Sequence, residues 1–422
     1  MSSSKALTIQ SKGIFHGLPT IPEPFKGLRA IVAGASGMSG QHMTQVLAQS
    51  PQRWEKVYAV SRSPPSVKAE NIQHISIDLL SRPEDIATAL RDHGVVADIV
   101  FFFSYVQLHP EPDEPVFGSA DRLCEVNGRL LQNLLGALDL CSIVPQRILL
   151  QTGLKTYDVH LGPVSIPMVE SDPRTNVEPN FYYTQEDILI EYCKTRMLKY
   201  NITHPSWILG AVQGSLMNIF YPLAVYASVQ KYHKRPLLFP GDLIAWDKAQ
   251  PISSGTLNSF FHEWLVLNPD AGNQSLNIWD GSDFTWGKFW PVLARWYGLD
   301  WEPPQSGTEY TEIEMPVTPR GYGPPGRVRY SFDLVDWATA PDVLRAWSVL
   351  SKEHNLHNNP FENVAELFAP LQFSCAISWS WTVSMDKARK LGWHGYVDSV
   401  ESMRQAFETF AELRMIPPIP ST

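Results

Sequence analysis

Gly34, Gly37 and Gly40 stand three residues apart in Ile31-Val32-Ala33-Gly34-Ala35-Ser36-Gly37-Met38-Ser39-Gly40. The run joins an apolar strand, Leu28–Ala33, to a helix whose Met43, Val46 and Leu47 fall at i, i+3 and i+4 spacing. Glycines so placed have separate jobs. Gly34 permits the sharp turn, Gly37 lets backbone N–H groups approach a phosphate, and Gly40 lets helix and strand pack closely. The first N–H groups of the helix and its dipole face the same point, which makes the turn a cradle for the pyrophosphate of a dinucleotide, with Ser36, Met38 and Ser39 completing it. A purely structural turn is the alternative.

The next strand, Lys56–Ser61, runs into Arg62-Ser63-Pro64-Pro65. An acidic residue there would bond the ribose 2′-hydroxyl of NAD. Arg62 instead suits a 2′-phosphate, with Ser61 and Ser63 as hydrogen-bonding neighbours, so the expected cofactor is NADPH. A solvated surface arginine is the plainer reading of Arg62. Asp78, at the end of a third strand, His74–Ile77, is placed with Leu79 to meet an adenine amino group, and a helix N-cap explains Asp78 equally well. Ser104 and Tyr105, after the apolar run Ala97–Phe103, are cofactor candidates by position alone.

The reactive groups are harder to find. None of the 15 tyrosines has a lysine four residues later, so the usual Tyr-x-x-x-Lys pair of short-chain dehydrogenases is missing. Several segments resemble another pattern. Thr152-Gly153-Leu154-Lys155-Thr156-Tyr157 resembles the T-G-x-K-x-Y segment of the progesterone 5β-reductase/iridoid synthase-like family of atypical extended short-chain reductases. Asn180-Phe181-Tyr182-Tyr183-Thr184-Gln185-Glu186-Asp187 is similar to its N-F-Y-Y-x-x-E-D segment, and His204-Pro205-Ser206-Trp207-Ile208-Leu209-Gly210 to its H-R-P-x-x-I-x-G stretch. Trp246-Asp247, Leu276 to Trp286, Met385-Asp386-Lys387 and Gly392-Trp393 extend the resemblance over nearly the whole chain from Leu28.

The resemblance implies that Tyr182 and Lys155 are the catalytic pair and that Ile208, Ser215 and Met217 lie near the nicotinamide. It implies hydride delivery to an enone or enal, in which Tyr182, its pKa lowered by a nearby ammonium, stabilises the enolate and returns a proton. Packed-core tyrosine and surface lysine are the bland alternatives. The sequence departs from the family at Thr156, at Val164 and in two extra residues around Asp158–His160, beside the expected substrate pocket. The substrate is therefore expected to differ from a steroid or a small monoterpene dialdehyde. Three activities stay open: NADPH-dependent reduction of an activated C=C or C=O bond, a cofactor-retaining isomerisation, cyclisation or epimerisation, and a non-catalytic NADP-binding sensor.

Strands alternating with helices over Leu28–Gln151 predict an α/β, Rossmann-type doubly wound parallel sheet. Residues 1–26 are expected to be an extended arm, 27–205 the NADP-binding domain, and 206–422 a smaller, mostly helical substrate-binding and lid region with segments returning to the sheet. Of 14 tryptophans, 13 lie at or after Trp207, which suggests two unlike halves, the second a wall for an apolar substrate. Glu302–Gly326, with six prolines, reads as a long loop or lid.

A net charge of −9 excludes a broadly basic nucleic-acid surface. The four cysteines are scattered, and His354-x-x-His357 lacks a third ligand, so neither a disulfide framework nor a metal is expected. The N-terminus carries no apolar core of a signal peptide, and no apolar run approaches the roughly 18 residues of a membrane span. A cytoplasmic enzyme acting on a small apolar carbonyl-containing substrate is expected, without nucleic acid or membrane; a homodimer is compatible with the sequence.

Overall fold

A computed structural model describes residues 8–22, 24–108, 119–215 and 218–420. Its centre is a seven-stranded sheet of β1 (Leu28–Ala33), β2 (Trp54–Ser61), β3 (Ile72–Ser76), β4 (Ile99–Phe102), β5 (Arg147–Gln151), β6 (Lys199–Pro205) and β7 (Gln274–Ile278). The order is β7-β6-β5-β4-β1-β2-β3 and every pairing is parallel. Chain order reverses on either side of β1, so a crevice opens beside its carboxyl end.

The period of two assigns each strand residue to a face. Ala30, Val32, Val57, Ala59, Ile99, Phe101 and Leu149 point to one core, which they share with Met43, Val46 and Leu47 of α1 (Met38–Ala48) and with the helix Gly255–Leu267. Ile31, Ala33, Tyr58, Val60, Val100, Phe102, Ile148 and Leu150 point to the other, covered by α2 (Pro83–Asp92), α3 (Ala120–Leu140) and α4 (Phe181–Arg196). Burial on both faces explains why these strands read as continuous apolar runs.

Beyond β6 the chain builds a helical layer around Phe220–His233, in which every residue from Phe220 to Gln230 is buried. A helix apolar all round has no amphipathic signature, so periodicity alone misses it. Trp286, Trp290, Trp296 and Trp347 pack against it. Much of the tryptophan excess is therefore core, not substrate wall. The chain does return to the sheet, through β7 and through Gly255–Leu267.

Two expectations need correction. The N-terminal arm is a β-hairpin, Ile9–Lys12 with Phe15–Pro19, because Phe15 and Leu18 bury against Phe260 and neighbours and His16 bonds the backbone of Tyr396. The segment Glu302–Gly326 is not all loop. Thr311–Glu314 pairs antiparallel with Arg327–Tyr330, and Arg329 bridges Glu312 at 2.9 Å and Asp242 at 3.0 Å. Among the described residues no helix is long and apolar enough to cross a membrane.

Glu263, 3% exposed, pins Gly255–Leu267 beneath the sheet by accepting from Arg53 Nη1 and Trp54 Nε1, both at 2.8 Å. Removing it strands a part-buried guanidinium and a buried indole N–H. Glu263→Ala is expected to lower stability by about 3 kcal/mol, read as a fall in the urea midpoint at unchanged slope, and Glu263→Gln by less. An unchanged midpoint for the alanine variant would refute this account of the packing.

Candidate active site

The glycine turn closes the carboxyl end of β1. Gly34 has φ +83°, and a Cβ there would lie 2.8 Å from Ser104 N and 2.9 Å from the Phe103 carbonyl carbon. A Cβ on Gly40 would lie 2.1 Å from Gly34 O. Both positions require glycine, one for the crossing of β4 and one for strand–helix contact. Gly37 differs: its Cβ would meet nothing nearer than Gly34 O at 3.4 Å, so the space in front of it is open. Gly37 caps α1 without any side-chain bond, and no acidic residue stands in the first turn. Those N–H groups are oriented for an anion.

The surroundings are polar and braced. Gln151, ending β5, donates to Ser39 Oγ at 2.8 Å, and its Oε1 is buried without a partner. Gln41 donates to Ser36 O at 3.2 Å and accepts from Ser66 N at 3.1 Å, tying the loop after β2 to the turn. The residues present fit a dinucleotide: open N–H groups, unforced space at Gly37 and an orphaned acceptor beside Ser39. Gln151 went unnoticed in the sequence, since nothing in its type singles it out.

The adenosine side is mixed. Arg62 is exposed at the end of β2, and its side chain forms no ion pair among the described residues. Ser63 is exposed too, whereas the Ser61 hydroxyl already donates to Ser63 O at 2.7 Å, so its proton is spent within the turn. Asp78 is not a helix N-cap. Arg82 holds that position for α2, and Asp78 instead accepts from Leu80 N at 2.9 Å. Leu79 is buried in the core and its carbonyl is taken by Asn133 at 2.9 Å, which leaves it little to offer a ligand. Ser104 abuts Gly34, while Tyr105 stacks on Phe181 with centroids 5.4 Å apart and bonds Gln107.

Lys155 and Tyr182 converge from separate elements. Lys155 lies on a short 3-10 turn, Leu154–Tyr157, four residues beyond Gln151. Tyr182 is the second residue of α4. A Cβ on Gly153 would sit 3.0 Å from Tyr182 Oη and 3.4 Å from Pro205 O, so the tyrosine hydroxyl rests against the extended Thr152-Gly153 segment that leads to Lys155. Burial draws the Lys155 ammonium down to about 8, opposed by the Glu178 carboxylate. Burial also pushes the Tyr182 hydroxyl up, contrary to the lowered value expected from a neighbouring ammonium. Tyr182 therefore holds its proton at neutral pH. His160, inside the two-residue excess, is driven to about 4 by burial and, as a neutral ring, donates to Glu178 at 3.2 Å.

The neighbouring motif residues mostly hold the frame. Tyr157 donates to Asn277 Oδ1 at 2.7 Å, and His204 Nδ1 bonds Thr152 Oγ1 at 2.7 Å. Glu186 and Asp187 both grip Arg174 at 2.8 Å, and Arg174 lies over the Tyr183 ring. Asn180 bonds to the backbones of both Lys155 and Tyr182, a role that its place in the N-F-Y-Y-like segment did not reveal.

An apolar wall flanks the pair. Leu154, Tyr157, Val159, Val164 and Met168 pack with Ile377, Trp379, Trp381 and Val383. Trp207 stacks on Trp381 at 5.3 Å, and Trp379 donates to Val159 O at 2.8 Å. The tip between the 311–314 and 327–330 strands reaches this wall, with Arg320 N bonded to Pro163 O at 3.2 Å. Ile208 sits beside Trp207 on the short strand Trp207–Leu209, paired with Ile252–Ser254. Ser215 lies in the loop beyond, and Met217 is outside the described residues.

The chain is 31% identical to an uncharacterised protein of Schizosaccharomyces pombe, covering 93% of this chain and 99% of that one. It is 29% identical to an (S)-8-oxocitronellyl enol synthase of Camptotheca acuminata and 28% identical to a 3-oxo-Delta(4,5)-steroid 5-beta-reductase of Arabidopsis thaliana, each over 92% of this chain and 93% of the relative. Among solved structures, one of a putative epimerase from Burkholderia cenocepacia superposes with a TM-score of 0.57 at 16% identity, covering 92% and 99% of the two chains, a likeness of fold. The model of the PRISE-like Rossmann-fold domain matches residues 30–321. With its parallel sheet, glycine cradle and full-length relatives, the chain belongs to the PRISE-like Rossmann-fold family.

Proposed function

We propose that the protein is an NADPH-dependent reductase of an activated C=C bond, or of a carbonyl, in a small apolar metabolite. The observation that carries this reading is the meeting of Tyr182 Oη with the Gly153–Lys155 segment at the sheet edge that also holds the glycine cradle. The 34–40 turn, with Arg62 and Ser63 at the 2′-phosphate, would hold NADPH, which would supply the hydride. The names of the plant relatives, a steroid reductase and an enol synthase, point to carbonyl-containing substrates.

The chain's own residues do the rest. As the substrate's β-carbon is reduced, negative charge gathers on its carbonyl oxygen. Tyr182, fully protonated at neutral pH, donates a hydrogen bond to that oxygen and then gives up its proton. The Lys155 ammonium stabilises the tyrosinate left behind. The wall of Trp207, Trp379 and Trp381 excludes water and holds an apolar skeleton, which strengthens both interactions.

Tyr182→Phe is expected to lower kcat at least 100-fold, within the range for loss of a positioned proton donor. Its test is NADPH consumption over a panel of cyclic enones, enals and dialdehydes; a phenylalanine variant as active as the parent would remove the tyrosine from the mechanism. Substrate conversion without NADPH consumption would favour isomerase or cyclase chemistry instead.

Because Lys155 must be charged and its ammonium is held near 8, kcat is expected to fall as pH rises through about 8. A rate flat to pH 10 would contradict its role. Arg62→Ala is expected to raise the Kd of NADPH about tenfold or more while changing NADH less than about twofold, since the lost contact is charge-assisted and specific to the 2′-phosphate. Equal weakening, measured by titration of nucleotide fluorescence, would refute the assignment.

A further inference from the structure

Lys155 and Tyr182 lie on separate elements, and chemistry needs their side chains at a fixed separation. Asn180 joins them. Its Oδ1 accepts from Tyr182 N at 3.0 Å, while its Nδ2 donates to Lys155 O at 2.7 Å and to Asp158 Oδ1 at 3.0 Å. The side chain is buried, and Asp158, in the left-handed region at φ +53°, is held from its other side by the Thr175 hydroxyl. Resting on the catalytic reading above, we propose that Asn180 is a positioning residue that sets the spacing of Lys155 and Tyr182 by bonding to both backbones at once.

Helix capping alone does not account for asparagine here. Serine, threonine or aspartate would supply the oxygen that Tyr182 N–H needs. The amide adds two N–H donors, and both are used. Aspartate would set a second carboxylate against the Lys155 carbonyl and Asp158. Tyr183 Oη, donating to Thr156 O at 2.5 Å, ties the same two elements one residue further along and keeps them together when Asn180 is changed. What Asn180 controls is therefore the fine placement of the pair, and a shift of about 1 Å in such a site costs on the order of 100-fold in rate.

The charges around Lys155 make the change readable. The Glu178 carboxylate and the His160 ring act on it from the loop beyond the turn. Asp158 is pushed to about 7 by burial and held down by the Asn180 donor, and Glu178 is held down by His160. Loosening the Lys155 turn lets water reach the ammonium, which raises its pKa.

The test is Asn180→Ser, which keeps a capping oxygen and loses both donors. Expected are an unfolding temperature within a few degrees of the parent, NADPH affinity within about threefold, a kcat lower by at least about tenfold, and an alkaline limb moved to higher pH. Asn180→Asp carries the same test should the serine variant fail to fold. Tyr182→Phe, run in parallel, separates the two claims: a fully active phenylalanine variant sinks the catalytic reading, whereas an inactive one beside an Asn180→Ser enzyme with parental kcat and pH profile sinks the positioning role alone. A crystal structure of Asn180→Ser reads the same claim without turnover. Displacement of the Lys155 backbone by more than about 0.5 Å supports it, and superposition within that margin overturns it.

Discussion

A parallel sheet buried on both faces can be closed only by crossovers, and crossovers bring the carboxyl end of every strand to one edge. The rest of this molecule follows from that constraint. The glycine turn follows β1, Arg62 follows β2, Asp78 follows β3, Ser104 follows β4, Lys155 follows β5 and Trp207 follows β6. Residues scattered over some 170 positions become neighbours because each terminates a strand. The crossing at Gly34, where β4 leaves no room for a side chain, is the tightest point of that edge.

The same burial that stabilises the sheet tunes the groups at its edge. Desolvation lowers Lys155 and raises Tyr182, which moves the two in opposite directions and leaves the tyrosine a proton donor and the lysine partly titratable near neutrality. His204, deeper in the same place, is driven to about 3 and serves as a neutral acceptor or donor to Thr152. Asp280, fully buried, is raised to about 7 and accepts from Ser254 N and Ser399. The C-terminal helix Ser399–Glu412 is thereby fastened near the end of β7.

Much of the first half was legible because its signals are local. The strand Leu28–Ala33, the strand Arg147–Gln151 and the glycine turn each announce themselves within about ten residues, and the structure places them as expected. The α/β fold class followed from their alternation. What escaped was non-local. Phe220–Gln230 is buried all round, so it shows no stripe. The N-terminal hairpin depends on a surface offered by Phe260, more than 200 residues away. Thr311–Glu314 sits among prolines and is a strand only because Arg327–Tyr330 returns to pair with it.

The site shows the same division. Residue type, spacing and position after a strand marked the cradle and Arg62, whereas the pairing of Tyr182 with Lys155 rested on resemblance, since no spacing rule joins them. Asn180 and Gln151 carry their roles in three dimensions only. The central claim is hydride transfer from NADPH to an unsaturated carbonyl, with Tyr182 returning the proton. Its most direct test uses NADPH deuterated at the transferring carbon of the nicotinamide with a panel of enones and enals. The account predicts one deuterium in the product, at the β-carbon for 1,4-reduction or the carbonyl carbon for 1,2-reduction, with equimolar NADPH oxidised. A product free of deuterium, formed without NADPH loss, would contradict it.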